Sequence, residues 1–382
     1  MLGNGTGTYK TGSSGPESCK PFCPVGAFNP LAGIDVDMTN CTKCGLGSYA
    51  NATRTSACTV CPAGTSTWRY GAEDILECRG AGGLDAGGFH TCGVDINGGA
   101  KCWGYNGFNQ TSVPKKLVKW EENGVPYAEE RDDTWYAVAA GSFHSCGITT
   151  EMKAKCWGQD FAGKTTVPTM HLYHSPEMPL RNVTEWQSMS ASAGYHHTCG
   201  IADGRALCWG DNEYEQTNVP AGRYWRSVSA GQFHSCGIDS NATAHCWGDN
   251  SYGQSEVPAE EAKWRNVSAG HYHSCGVTAV GKLRCWGSTL YEATSFPLDV
   301  DAWSSVAVGR FHSCGVTVKG QMRCWGSNQD GAVSVPDGIS SWRAVTTGLF
   351  HTCGIAHDRT GVCWGRSLYG LHIVPDAAWS SV

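Results

Sequence analysis

A chain of 382 residues with 50 Gly, 21 Cys and 16 Trp has room for two or three domains and the composition of an all-β protein dense in tight turns. Only 16% of its residues are charged and the net charge is −6, so no basic footprint for nucleic acid is present. No apolar run is long enough for a membrane-spanning helix, and cysteines in this number point to disulfides outside the cell.

Seven Asn-x-Ser/Thr sequons, at Asn4, Asn40, Asn51, Asn109, Asn182, Asn241 and Asn266, support the same address: extracellular or cell surface. Met1–Gly7 lacks the charged and apolar regions of a secretory signal. A signal is therefore expected upstream, with this sequence starting inside a longer precursor.

Residues 1–80 form the first predicted region. They carry Cys19, Cys23, Cys41, Cys44, Cys58, Cys61 and Cys78 in modules of Cys-x-x-Gly, a polar stretch and a closing Cys. Pairing within each module, Cys23 with Cys41, Cys44 with Cys58 and Cys61 with Cys78, is the simplest scheme, although spacing alone does not fix connectivity. Cys19 is left over and is expected to close a truncated first module; an intermolecular disulfide is the alternative. These modules resemble the cysteine-rich modules of ephrin receptors and tumour-necrosis-factor receptors, and the resemblance implies a disulfide-held rod with almost no apolar core.

Residues 81–382 are organised by a repeat. H-x-C-G followed by C-W-G occurs seven times. The cysteine pairs are Cys92 and Cys102, Cys146 and Cys156, Cys199 and Cys208, Cys236 and Cys246, Cys275 and Cys285, Cys314 and Cys324, and Cys353 and Cys363. From His197 onward the period is 37 to 39 residues, and the two earlier intervals carry insertions of about 15 residues. The apolar runs are short and bounded by Gly or Pro, which is a strand pattern without helical period. Seven such units predict a seven-bladed β-propeller. A hairpin turn between the two Cys of each unit would set them opposite one another for an intrablade disulfide. Zinc is the rival, but no fourth ligand recurs. The repeated His is expected to meet a repeated backbone need, and the C-W-G Trp to pack between blades with its N–H on a loop carbonyl.

Six units are preceded by a Trp, and the first is not; the missing piece stands at the other end as Trp379-Ser380-Ser381-Val382. Residues 379–382 are therefore expected to latch the first blade, the alternative being an eighth repeat interrupted at the C-terminus.

The units resemble the regulator-of-chromosome-condensation repeat, G-x-x-H-S followed by W-G-x-N-x-x-G-Q, with Trp247-Gly248-Asp249-Asn250 through Gln254 a close instance. The cysteine-bearing form is similar to the extracellular version in plant Crinkly-type receptor kinases, and the short repeat to the propeller-type β-lactamase inhibitor protein. The resemblance implies a propeller that acts by binding. The nucleotide-exchange and chromatin roles of nuclear members do not transfer, because disulfides, sequons and acidic balance all oppose a nuclear address.

No catalytic signature and no cofactor motif is present, so no enzyme activity is expected. The non-repetitive features are the two insertions, about 115–134 and 169–185. They contribute Trp120, Tyr127, Arg131, His171, Tyr173 and His174 as candidate protein-binding residues on one face. The predicted function is a secreted structural, adhesive or protein-binding component of an extracellular coat, filament or appendage, with a protein partner or self-association. Alternatives are a receptor ectodomain with a protein ligand, and a glycan-binding lectin or an enzyme at the propeller mouth.

Overall fold

The computed structural model describes residues 83–380 except 123–124, 170–181, 184, 192–195 and 262; of residues 1–82 it describes Cys58 and eight short strands. The chain divides into two compact units between Ala81 and Gly82.

In the first unit the strands pair antiparallel as four ribbons: Thr6–Thr8 with Cys19–Pro21, Ala27–Phe28 with Thr42–Lys43, Ser48–Tyr49 with Thr59–Val60, and Ser66–Thr67 with Cys78–Arg79. Strands this short bury little on their own. Cys58 is disulfide-bonded. The pairings expected for Cys23 with Cys41, Cys44 with Cys58 and Cys61 with Cys78, and the partner of Cys19, lie outside the described residues.

The second unit contains seven three-stranded antiparallel sheets among the described residues, numbered here 1 to 7 in chain order. Sheet 4 is representative: Trp225–Ala230, His234–Asp239 and Ala244–Gly248, with the middle strand fully buried. Each sheet packs on the next, and the middle strand of sheet 7, His351–Ala356, packs on the first strand of sheet 1, Leu84–Ala86, so the ring closes. The first strands neighbour one another around the axis. Each sheet is packed between two neighbours, and only the short outer strands keep a free edge.

The two Cys of every repeat face each other in the hairpin register. Cys92 stands opposite Cys102, Cys146 opposite Cys156, Cys199 opposite Cys208 and Cys236 opposite Cys246. Cys275 stands opposite Cys285, Cys314 opposite Cys324 and Cys353 opposite Cys363. All seven pairs are joined as disulfides, with Cα atoms 4.0–4.1 Å apart. The two halves of each bridge differ in setting. The first Cys lies on the middle strand and is fully buried, whereas Cys102, Cys156, Cys208, Cys246, Cys285 and Cys324 on the outer strand are only half-buried. Cys363, on the outer strand of sheet 7, is buried. Loops of about ten residues closed this way are each worth roughly 3 kcal/mol in the chain-entropy picture. Reduction is expected to unfold the propeller, while EDTA leaves its far-UV spectrum and melting midpoint unchanged. A chelator-induced loss of fold would contradict disulfide stapling.

The Trp residues form the intersheet core. Each first-strand Trp meets the C-W-G Trp of its own sheet at 5.4–5.7 Å, as in Trp225–Trp247 and Trp303–Trp325. In six sheets the register shifts by one residue just after the first Trp, a bulge that re-aims the indole. Sheet 1 has no Trp of its own in that place. Trp379 fills it, 5.5 Å from Trp103 and fully buried, with its backbone bridged to Asp95. The flat indole needs a glycine beneath it: a Cβ at Gly93 would come within 2.5 Å of Trp379, and one at Gly147 within 2.6 Å of Trp135.

The first insertion is a regular hairpin, Lys115–Glu122 paired with Val125–Asp132 over eight residue pairs. An Asn-Gly pair between two β-prone runs is a strong hairpin signal, and it outweighs the charge of the segment.

Candidate functional site: an aromatic face

The register decides which loops share a face. His234 pairs with Gly248, so the turn before His234 and the loop after Gly248 leave the sheet from one end. Trp225 pairs with Asp239 at the other end, where Ser240 N–H donates to Tyr224 O. Every sheet repeats this, so one face of the ring collects the A-G-x-F-H turns and the W-G-x-N-x-Y loops. The opposite face collects the short turns within the Cys hairpins and the entries of the first strands.

Behind the first face lies a hydrogen-bonded ring. Each repeat His places Nε2 2.7–3.0 Å from the Ser or Thr hydroxyl of the next sheet: His90 on Ser145, His144 on Thr198, His197 on Ser235, His234 on Ser274, His273 on Ser313 and His312 on Thr352. His351 closes the circle on Thr91. The hydroxyls in turn donate to loop carbonyls of the preceding sheet, as Ser145 to Gln110 O and Ser235 to Gln216 O. A hydroxyl has one proton to give, so these histidines donate from Nε2, and it is burial that holds them neutral. Burial pushes His90, His197, His273 and His351 down to about 3, and His234 and His312 down to about 4. His144 is lowered well below the usual value by burial, with Lys164 adding to the effect. The histidines are thus intersheet struts.

The same loop carbonyls accept the C-W-G indoles: Trp103 on Leu371 O, Trp157 on Gln110 O, Trp247 on Gln216 O and Trp364 on Ala332 O, at 2.9–3.0 Å. Both donors come from the neighbouring sheet and fix each loop. The fully buried Gln254 tightens its own loop further, its Oε1 accepting from Tyr252 N–H at 2.8 Å. Asn250 Oδ1 accepts from Ser255 N–H in the same loop.

What these rigid loops display is aromatic. The A-G-x-F-H turns form an inner circle of Phe89, Phe143, His196, Phe233, Tyr272, Phe311 and Phe350. Neighbours stack within it, Phe89 on Phe143 at 5.1 Å and Tyr272 on Phe311 at 5.9 Å. The W-G-x-N loops add an outer circle, each ring resting on the inner ring of the next sheet. Phe108 meets Phe143, Phe161 meets His196, Tyr214 meets Phe233, Tyr252 meets Tyr272, and Tyr291 meets Phe311, at 4.9–5.7 Å. Tyr369 completes it, 6.4 Å from Phe89 and 4.9 Å from Tyr105. In sheet 6 the outer aromatic is replaced by Asp330, and Arg366, paired with it at 3.3 Å, lies over Phe350 instead. The outer rings are 40–57% exposed.

This fold appears in known proteins. Residues 84–110, 135–163, 225–254, 264–291 and 303–332 match the Regulator of chromosome condensation (RCC1) repeat. The C-terminal unit is a propeller of RCC1-like repeats. Residues 34–78 match the Tyrosine-protein kinase ephrin type A/B receptor-like module. The CRINKLY WD40 ectodomain of the Arabidopsis thaliana receptor kinase ACR4 is 23% identical, with a TM-score of 0.54 over 75% of this chain and 98% of that one. The ectodomain of the Physcomitrella patens receptor kinase CR4 is 22% identical, with a TM-score of 0.54 over 74% of this chain and 73% of that one. Prp20p of Saccharomyces cerevisiae is 16% identical, with a TM-score of 0.52 over 70% of this chain and 80% of that one. At these identities the likeness is one of fold.

Of the residues expected to bind a partner, Trp120 and Tyr127 stand opposite one another in the hairpin register. Tyr127 is exposed, and Arg131 is paired with Glu129 at 3.1 Å. The hairpin projects from the face opposite the RCC1-like aromatic loops, next to the turn that holds Glu151, the ion-pair partner of Lys116. His171, Tyr173 and His174 lie outside the described residues. Among the described residues no group of three or more His, Cys, Asp or Glu could hold a metal, and no helix is long and apolar enough to cross a membrane. Of the sequons in this unit, Asn109, Asn182 and Asn241 are exposed, whereas Asn266 is half-buried with Oδ1 accepting from Val306 N–H of the next sheet.

Proposed function

We propose that the chain is a non-enzymatic docking component of an extracellular assembly, and that the aromatic face of its propeller is the surface that engages a protein partner. The carrying observation is a double circle of aromatic side chains, half-exposed and held by loops that are hydrogen-bonded at several points. Soluble proteins rarely leave contiguous apolar surface uncovered without an interaction to serve. Tyr and Phe on rigid loops give contact area at small entropic cost, which suits a binding surface. The disulfides and the shared fold with receptor-kinase ectodomains support the extracellular setting, and Prp20p, with its binding to Gsp1p and histones, is a precedent for partner binding on this fold. The CRINKLY ectodomain also supports a second reading, a receptor ectodomain that uses this face for a protein ligand.

The test is retention in the producing cell. A Tyr214→Ser, Tyr252→Ser, Tyr291→Ser variant is expected to be secreted folded but to be lost from the extracellular material into the medium. A hairpin variant, Tyr127→Ser with Arg131→Ser, is expected to be retained. The reverse pattern would assign docking to the hairpin face.

A further inference from the structure

The aromatic face is chemically uneven around the circle. In sheets 6 and 7 guanidinium groups already lie on the rings: Arg310 is 4.7 Å from the centroid of Phe311 and 5.7 Å from that of Phe350, and Arg366 is 4.7 Å from Phe350 on its other contact. Across the circle, in sheets 2, 3 and 5, the exposed rings are flanked by carboxylates. Asp160 precedes Phe161, Glu213 and Glu215 flank Tyr214, and Glu292 follows Tyr291. The loops of this arc therefore combine π faces with negative charge, the pairing that attracts a guanidinium or ammonium group.

We infer that the arc of sheets 2 to 5 docks an arginine-rich segment of a protein partner, an inference that rests on the aromatic face being the docking surface. The seating of Arg366 shows the recognition geometry within the molecule itself: a guanidinium over a half-buried ring, with a carboxylate, Asp330, closing on it from the neighbouring loop. Tyr214 is 41% exposed and is flanked in its loop by Glu213 and Glu215, so the same two kinds of group, a π face and carboxylates, are available there to a partner's cation. Arginine fits better than lysine because its planar group can stack on the ring while its N–H donors reach the carboxylates.

The full chain is titrated calorimetrically with an Arg-Ser repeat peptide, a Lys-Ser peptide of equal charge and a neutral citrulline-Ser peptide. Binding is expected in the order Arg, Lys, citrulline, with the last not measurable. Tyr214→Ser with Tyr252→Ser keeps every charge and is expected to weaken the Arg peptide about tenfold. Glu213→Gln with Glu215→Gln is expected to weaken it similarly and to flatten its salt dependence. Glu151→Gln with Asp301→Asn removes two exposed carboxylates from the opposite face and is expected to leave the affinity unchanged. Circular dichroism checks that each variant is folded. Equal weakening by the opposite-face pair, or no effect of the tyrosine pair, would reduce the binding to diffuse charge and overturn the inference. Binding of a neutral oligosaccharide or a proline-rich peptide in place of the basic one would also overturn it, while leaving the docking face standing. Only unchanged retention of the tyrosine variant in the cell removes the docking face as well.

Discussion

Trp379→Ala is expected to lower the unfolding free energy of the propeller by about 3–5 kcal/mol, the usual cost of emptying a fully buried Trp site. Sheet 1 depends on this residue more than its neighbours depend on any one of theirs, because its first strand, Leu84–Ala86, has three residues where the other sheets have six. Trp379 packs with Leu84, Ala86, Trp103 and Ile355, and so joins the two ends of the ring in one cluster. Its backbone N–H donates to Arg359 O at 3.0 Å, Ile96 N–H donates to Ala378 O, and Ser380 donates to Val94 O through both its N–H and its hydroxyl. Replacing the indole removes the side-chain packing and leaves these backbone bonds to hold an unfilled seam. Guanidinium unfolding followed by Trp fluorescence measures the loss. Hydrogen exchange should localise it, with faster exchange in sheets 1 and 7 and little change in sheet 4. An unchanged midpoint would mean that the ring is not closed through this residue.

Acidification is expected to unfold the propeller cooperatively, with a midpoint between about pH 6 and pH 4 and the uptake of several protons. The seven strut histidines are neutral in the folded ring and held far below their ordinary value of 6.5 by burial. Their folded pKa is depressed, so between the folded and unfolded values the unfolded chain binds more protons. The stability they confer is complete above about 6.5 and is lost as pH falls, at about 1.4 kcal/mol per pH unit for each histidine. Several together exceed the usual stability of a domain within one or two pH units. Asp85 acts with the opposite sign. Burial raises its carboxyl to about 6, against the bonds from Ala140 N–H and Thr346, so its contribution is present at low pH and lost as pH rises through about 6. One such group does not offset seven. Tryptophan fluorescence against pH, with disulfides intact, checks the transition, and His234→Gln should lower the number of protons taken up. A propeller that stays folded at pH 3 would show that the histidines are not buried neutral donors.

Much of the fold was legible because the repeat states its own constraints. Paired Cys at a fixed offset can meet only across a hairpin, and all seven pairs do, including Cys199 with Cys208, where the connection is one residue shorter. The uneven burial of the two sulfurs was not legible, because it depends on which strand the next sheet covers. The repeat His was expected to meet a backbone group; its Nε2 instead meets the hydroxyl of a Ser or Thr one sheet away, a partner not evident from any single repeat. The candidate site was harder to see. Attention goes to what differs between repeats, the two insertions, whereas the aromatic face is made from what is the same in every repeat. The Phe of A-G-x-F-H and the Tyr of W-G-x-N-x-Y are about twenty residues apart in the chain and meet only because consecutive sheets offset them, Tyr214 on Phe233 and Tyr252 on Tyr272. An aromatic recurring at two positions of most repeats, with Asp330 the exception in the outer circle, was the available signal, and it is also the ordinary signature of core, which hid it. The hairpin form of the first insertion was not drawn from the sequence, although an Asn-Gly pair between two β-prone runs was the signal for it.

Hydroxyl-radical footprinting of tyrosines in native extracellular material, compared with the isolated chain, tests the docking surface most directly. The account predicts strong protection of Tyr214, Tyr252, Tyr291 and Tyr369 in the assembled state and unchanged reactivity of Tyr127 on the opposite face. Equal reactivity of the four tyrosines in both states, with Tyr127 protected instead, would contradict it.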